Sequence, residues 1–171
     1  MKTPINTTAN KSIITLDIAS WLPTEESIYM LDMKQFLFKE LILKEEEFKK
    51  AIEVFEWSLL KDKNCMVYCS NNAIIPTWAY MLLCDKLAQN SSYYSYANSL
   101  VDFKNQYLKD KINQLKIDEY KNQRLVIKGC GDKSIGEDIY MKLTTKLLPI
   151  ARSIAYGEPC SMVPIYKKRI D

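Results

Sequence analysis

The chain has 171 residues, 47% of them hydrophobic and 26% charged, with 24 basic side chains against 21 acidic ones and no histidine. This composition fits one globular domain with an ordinary core and excludes a low-complexity chain, and a net charge of +3 spread along the sequence offers no field for nucleic acid or anionic lipid. Without imidazole, Ser–His and Cys–His catalysis and histidine-containing metal sites are excluded, which leaves thiols, carboxylates, lysines, tyrosines or a bound cofactor.

Residues 1–12 (MKTPINTTANKS) read as a polar leader with no apolar signal-peptide core, and no apolar run approaches the roughly 18 residues of a membrane helix. A single α/β domain is expected over 13–171, in the cytoplasm, where five cysteines stay reduced. IITLDI (Ile13 to Ile18) and IYMLDM (Ile28 to Met33) read as short strands separated by a turn at Pro23. The period then changes, and KEEEFKKAIEVFEW places Phe48, Ile52 and Phe55 on one helical face. CMVYC (Cys65 to Cys69) has the character of a buried strand, and PTWAYMLLCDKLAQ that of a helix with Pro76 in its first turn. Strand YYSY, helix SLVDFKNQYLKDKINQL, strand RLVIKGC, helix GEDIYMKLTTKLLPIA and strand SIAYG follow. The alternation predicts a mostly parallel sheet with helices on both faces.

A shift of 60 positions lays residues 57–96 on 117–156 without a gap. Lys61, Ile75, Tyr80, Met81, Leu83, Lys86, Leu87 and Tyr96 recur as Lys121, Ile135, Tyr140, Met141, Leu143, Lys146, Leu147 and Tyr156, so two related strand–helix–strand halves are expected.

In that register Cys69 faces Gly129 and Ser70 faces Cys130, so each half carries a thiol at its strand-to-helix turn, and Cys160 follows the last predicted strand. Ligands of open parallel sheets gather beyond the carboxyl ends of the strands, so Cys69, Cys130 and Cys160 are the candidate site. Three soft sulfur donors suit zinc or an iron–sulfur cluster, with Glu158 and Asp132 the nearest acids, although no CxxC pair is present. A metal-free alternative makes Cys130 or Cys160 a nucleophile with the other as resolving partner, activated by Lys128 or Lys133. Cys65 and Cys84 read as core thiols, the second on an apolar helix face. Ser134 and Glu137 have capping-box spacing, and GCGDKS lacks the lysine and hydroxyl of a phosphate loop. Trp78 is placed to shape a pocket or lid the sheet end, and Tyr80 and Tyr140 read as core. A third possibility is a non-catalytic interaction module using Trp21, Trp57 or YYSY.

At PTWAYMLL, LVIKGC and YGEPCSMVPIYKK the chain resembles an uncharacterised bacterial family catalogued as domain of unknown function 2480, from IITLDI to the basic tail Lys167, Lys168, Arg169. The resemblance implies cysteines in the family pattern at Cys69, Cys130 and Cys160, and not at Cys65 or Cys84. The chain departs from the pattern at Asn72, where the family tends to aspartate, and at SIGED, where a valine–proline pair is typical. It also implies a genomic setting near sulfur-mobilisation machinery for iron–sulfur assembly. The expectation is a cytoplasmic accessory protein that holds a metal or iron–sulfur centre, or receives sulfur, through the three cysteines, with iron–sulfur assembly proteins as partners.

Overall fold

A computed structural model describes residues 13–71, 73–128, 134–158 and 161–169. In chain order its main elements are β1 (Ile13–Asp17), β2 (Ile28–Asp32), α1 (Glu45–Val54), β3 (Asn64–Tyr68), α2 (Thr77–Asn90), β4 (Tyr93–Tyr96), α3 (Leu100–Gln114), β5 (Arg124–Lys128), α4 (Glu137–Leu147), β6 (Ser153–Glu158) and β7 (Ser161–Lys167). The fold is mixed α/β with mostly parallel strands. Contacts divide the chain into two compact units, Pro23–Phe103 and the flanking Met1–Leu22 with Lys104–Asp171.

In the unit Pro23–Phe103, β2, β3 and β4 form a parallel sheet in that order. Cys65, Met66 and Val67 of the central strand are all buried, which is why β3 reads as a continuous apolar run. Leu31, Cys65 and Val67 pack with Phe48 and Ile52 of α1 and with Ala79, Leu83 and Leu87 of α2. Met66, one step out of phase, packs with Ala97 and with Phe103 near the start of α3, so helical residues cover both faces of this sheet. Three glutamates open α1, where the helix dipole favours them. At its other end the buried Trp57 indole N–H donates to the Ile52 carbonyl at 2.7 Å, satisfying one of the orphan acceptors of the last turn.

In the other unit, β1, β5 and β6 are parallel and β7 adds an antiparallel edge. Leu16, Leu125, Ile127 and Ile154 share one core with Leu108 and Ile112 of α3 and with Ile139, Leu143 and Leu147 of α4. Both of these helices therefore pack on the same face of β5. Sequence reading ends the last strand at SIAYG and assigns none to SMVPIYK. On an edge the missing proline N–H costs no ladder bond, so the strand forms. Gly157 of β6 has φ +119°, and a Cβ there would stand 2.6 Å from the Ser161 carbonyl oxygen.

Two helix starts differ from expectation. Gly136, not Ser134, is the N-cap of α4, and it has no side-chain cap bond. The segment is held instead by Asn105, which donates to the Ser134 carbonyl and accepts from the Gly136 amide, each at 2.9 Å. Pro76 sits at the N-cap of α2, one position ahead of the helix.

The strands of the two sheets pair in matching registers. Asn64 pairs with Ile28 and Tyr93, and sixty residues on (64 and 124, 93 and 153) Arg124 pairs with Ile13 and Ser153. Each unit thus has a middle strand flanked in parallel by two others, with an aspartate, Asp32 or Asp17, as the last residue of the first.

Candidate functional site

The carboxyl ends of β2 and β3 carry a connected set of polar groups. Asp32, the last residue of β2, accepts the amide N–H of Lys34 at 3.0 Å and of Ser70 at 3.1 Å through one oxygen, joining the ends of the two strands. Partial burial works to raise the Asp32 carboxyl, but hydrogen bonds from the Ser70 side chain and from these two amides, with the Lys34 ammonium, hold it below its ordinary value. Lys34 forms an ion pair with Glu40 at 2.9 Å, and that bond, with further attraction from Glu40, Asp32 and Cys69, raises the lysine.

Cys69 follows β3 directly and is half-buried against the core of its unit, to which Ile75, Trp78 and Tyr80 also belong. Its Sγ lies 3.1 Å from Asn71 Oδ1, to which the thiol donates. The same oxygen accepts the Ala73 N–H at 3.1 Å, and Asn71 Nδ2 donates to the Glu40 carbonyl. Because Ala73 can only donate and Glu40 O can only accept, these contacts fix the orientation of the Asn71 amide. Tyr80 meets Tyr96 edge to face at 5.4 Å and 80°. Burial first, then Tyr96 and Cys69, raise the Tyr80 phenol.

At the carboxyl ends of β1, β5 and β6, Lys128 Nζ stands 3.2 Å from Asp17 and 3.8 Å from Glu158. The ammonium read from sequence as an activator of Cys130 is therefore engaged by two carboxylates. Tyr140 and Tyr156 meet edge to face at 5.8 Å and 81°, at the positions sixty residues beyond Tyr80 and Tyr96. Cys130 and Cys160 lie outside the described residues, as do Asn72, Asp132 and Lys133. Of the three proposed ligands, the structure therefore locates Cys69 alone.

The remaining side chains singled out in the sequence divide by burial. Cys65 is fully buried, as expected, and burial pushes its thiol up to about 12. Cys84 is exposed, its Sγ 3.4 Å from the Tyr80 carbonyl, because it faces away from the stripe of Ala79, Leu83 and Leu87 that α2 buries. Trp21 and Trp57 are core residues, 4% and 8% exposed, and present no docking face. Trp78 packs edge to face on Phe48 at 5.9 Å. In YYSY, Tyr96 is exposed. Sequence reasoning missed Asp32, Lys34, Glu40 and Asn71; the visible signal was the recurrence of Leu-Asp-apolar at Leu16 to Ile18 and Leu31 to Met33, each ending a first strand on a carboxylate.

Among the described residues no three His, Cys, Asp or Glu side chains gather to hold a metal. Around Cys69 there is one soft donor, an amide and a nearby ammonium, and the Asp32 oxygen that faces this region already accepts two N–H groups. One soft donor with these neighbours does not by itself make up a metal-ligand set. No helix among the described residues is long and apolar enough to cross a membrane. Residues 2–168 match the family described as protein of unknown function, domain of unknown function 2480, and the chain belongs to it. No curated protein and no solved structure matches the chain.

Proposed function

We propose that this member of the domain of unknown function 2480 family is a cytoplasmic accessory protein that handles a soft metal, an iron–sulfur centre or sulfur through Cys69, Cys130 and Cys160, with iron–sulfur assembly proteins as partners. The observation that carries the reading is the pairing of β5 with β6. These strands are parallel neighbours, spaced by about 4.8 Å as adjacent strands are. They end at Lys128 and Glu158, and the chain reaches Cys130 and Cys160 two residues later in each case. Two residues span at most about 7 Å, so the pairing of these strands supports the reading that both thiols share a ligand. Cys69 stands at the corresponding end of the middle strand of the other sheet. Zinc or an iron–sulfur cluster on three thiolates would keep one position for an exchangeable ligand or sulfide.

The test is anaerobic purification followed by metal and acid-labile sulfide analysis and absorption spectroscopy. The proposal expects a bound metal or sulfide that is lost on replacing the three cysteines with serine. Metal-free, sulfide-free, colourless protein with a spectrum unchanged by the replacements contradicts it.

The same β5–β6 pairing also favours a second reading, a thiol transferase or reductase with Cys130 and Cys160 as nucleophile and resolving thiol. Alkylation rates against pH separate the two. An activated nucleophile reacts fast well below the ordinary thiol range, whereas uniformly slow alkylation rules this reading out.

A further inference from the structure

We propose that Asn71 couples the Cys69 sulfur to the turn at Lys39–Glu40, so that any bond replacing the thiol hydrogen frees the turn and opens the apolar groove beside it. The inference rests on the reading of Cys69 as a working thiol, and it concerns what that thiol controls. Lys39 and Glu40 are consecutive residues at φ 48° and 61°, the left-handed region that glycine and asparagine favour and that lysine and glutamate occupy only when held. Phe38 and Ile42 close the turn, Phe38 N–H donating to Ile42 O at 2.8 Å and Ile42 N–H to Phe38 O at 3.1 Å.

Two side chains hold it from outside. Lys34 pairs with the Glu40 carboxylate, and Asn71 donates to the Glu40 carbonyl. The other end of the Asn71 amide accepts from Ala73 N–H and from the Cys69 thiol. A groove of about 440 Å³ runs between Leu41, Ile42 and Leu43 on one side and Ala73, Ile74 and Pro76 on the other. Asn71 therefore ties one wall, through Glu40, to the other, through Ala73. A group attached to Cys69 Sγ removes the S–H donor and enters the space next to Oδ1, where the amide now sits. The carboxamide must then turn away. That breaks its bonds to Ala73 and Glu40, and the turn loses one of its two side-chain restraints.

The test uses the full chain carrying Cys84→Ser, Cys130→Ser and Cys160→Ser, so that iodoacetamide reaches Cys69 while Cys65 stays buried. The Cys69 sulfur displaces iodide, an S–C bond forming as the C–I bond breaks, and the thiol proton leaves to solvent. Amide hydrogen exchange is read at Phe38 and Ile42, with Val67 of β3 as internal control. Alkylation is expected to speed exchange at both turn amides at least about tenfold and to leave Val67 unchanged. Asn71→Ala gives the same acceleration without alkylation. In Lys39→Gly/Glu40→Gly, where neither residue of the turn needs holding, alkylation changes exchange by less than about twofold. Unchanged exchange at Phe38 and Ile42 after alkylation overturns the proposal, as does an equal response in Lys39→Gly/Glu40→Gly. Because the readout involves no metal and the chain lacks Cys130 and Cys160, its failure is distinct from failure of the metal or sulfur reading.

Discussion

Cys65 and Cys69 stand at opposite ends of one five-residue stretch and differ in burial. Cys65 points into the core formed with Leu31, Val67 and Leu83, where a thiolate would be left without solvent. Its folded-state value is pushed to about 12 from an ordinary 9.0. Between these limits the folded chain keeps a proton that the unfolded chain has lost, so stability is complete below pH 9 and falls as pH rises. The slope is at most about 1.4 kcal/mol per pH unit. Urea midpoints at pH 8 and pH 10 should show this loss in the natural chain and a smaller one in Cys65→Ala; identical pH dependence in both would contradict the assignment. Cys69, one residue past the strand, has the Asn71 amide as its hydrogen-bond acceptor and is only partly buried. Strand alternation made Cys65 legible as core. The surroundings of Cys69 were not legible, because Glu40 and Asn71 are 31 positions apart and no local pattern announces a side-chain bond between two loops.

At the scale of elements, the strands and helices follow from periodicity, and the differences arise where a tertiary contact replaces a local one. SIGE has capping-box spacing, but Asn105 from α3 takes over the start of α4. Asn105→Ala should cost about 1 to 3 kcal/mol, since it removes one donor and one acceptor from partly buried backbone groups, and thermal or urea unfolding measures it. A loss below a few tenths of a kcal/mol would show that the local sequence is sufficient. β7 is the other case. Its residues Met162, Val163 and Ile165 are exposed on an edge, yet Pro164, a register shift opposite Ile154/Ala155 and the basic residues after the strand are features that discourage further pairing. Pro164→Val restores an N–H to that edge and is expected to promote self-association, seen as a concentration-dependent rise in sedimentation coefficient. Unchanged sedimentation would mean that the proline has no such role.

At the scale of the molecule, the sequence predicts the alternation of strands and helices but not their division into units. β1 pairs with β5, more than a hundred residues away, while the chain between them contributes Pro23–Phe103 as a unit with its own parallel sheet. Periodicity carries no information about which strand pairs with which, and β1 and β2 look alike in sequence because both end in Leu-Asp followed by a buried apolar residue. The rim of each sheet then has its own polar set, Asp32, Lys34 and Cys69 on one and Asp17, Lys128 and Glu158 on the other. The central claim is that Cys69, Cys130 and Cys160 serve one function. Mass-spectrometric mapping of alkylation on anaerobically purified protein, before and after chelation and reduction, tests it most directly. The account predicts that these three cysteines are protected together and released together while exposed Cys84 reacts throughout. Modification of Cys130 and Cys160 in the untreated protein at the rate of Cys84 would contradict it.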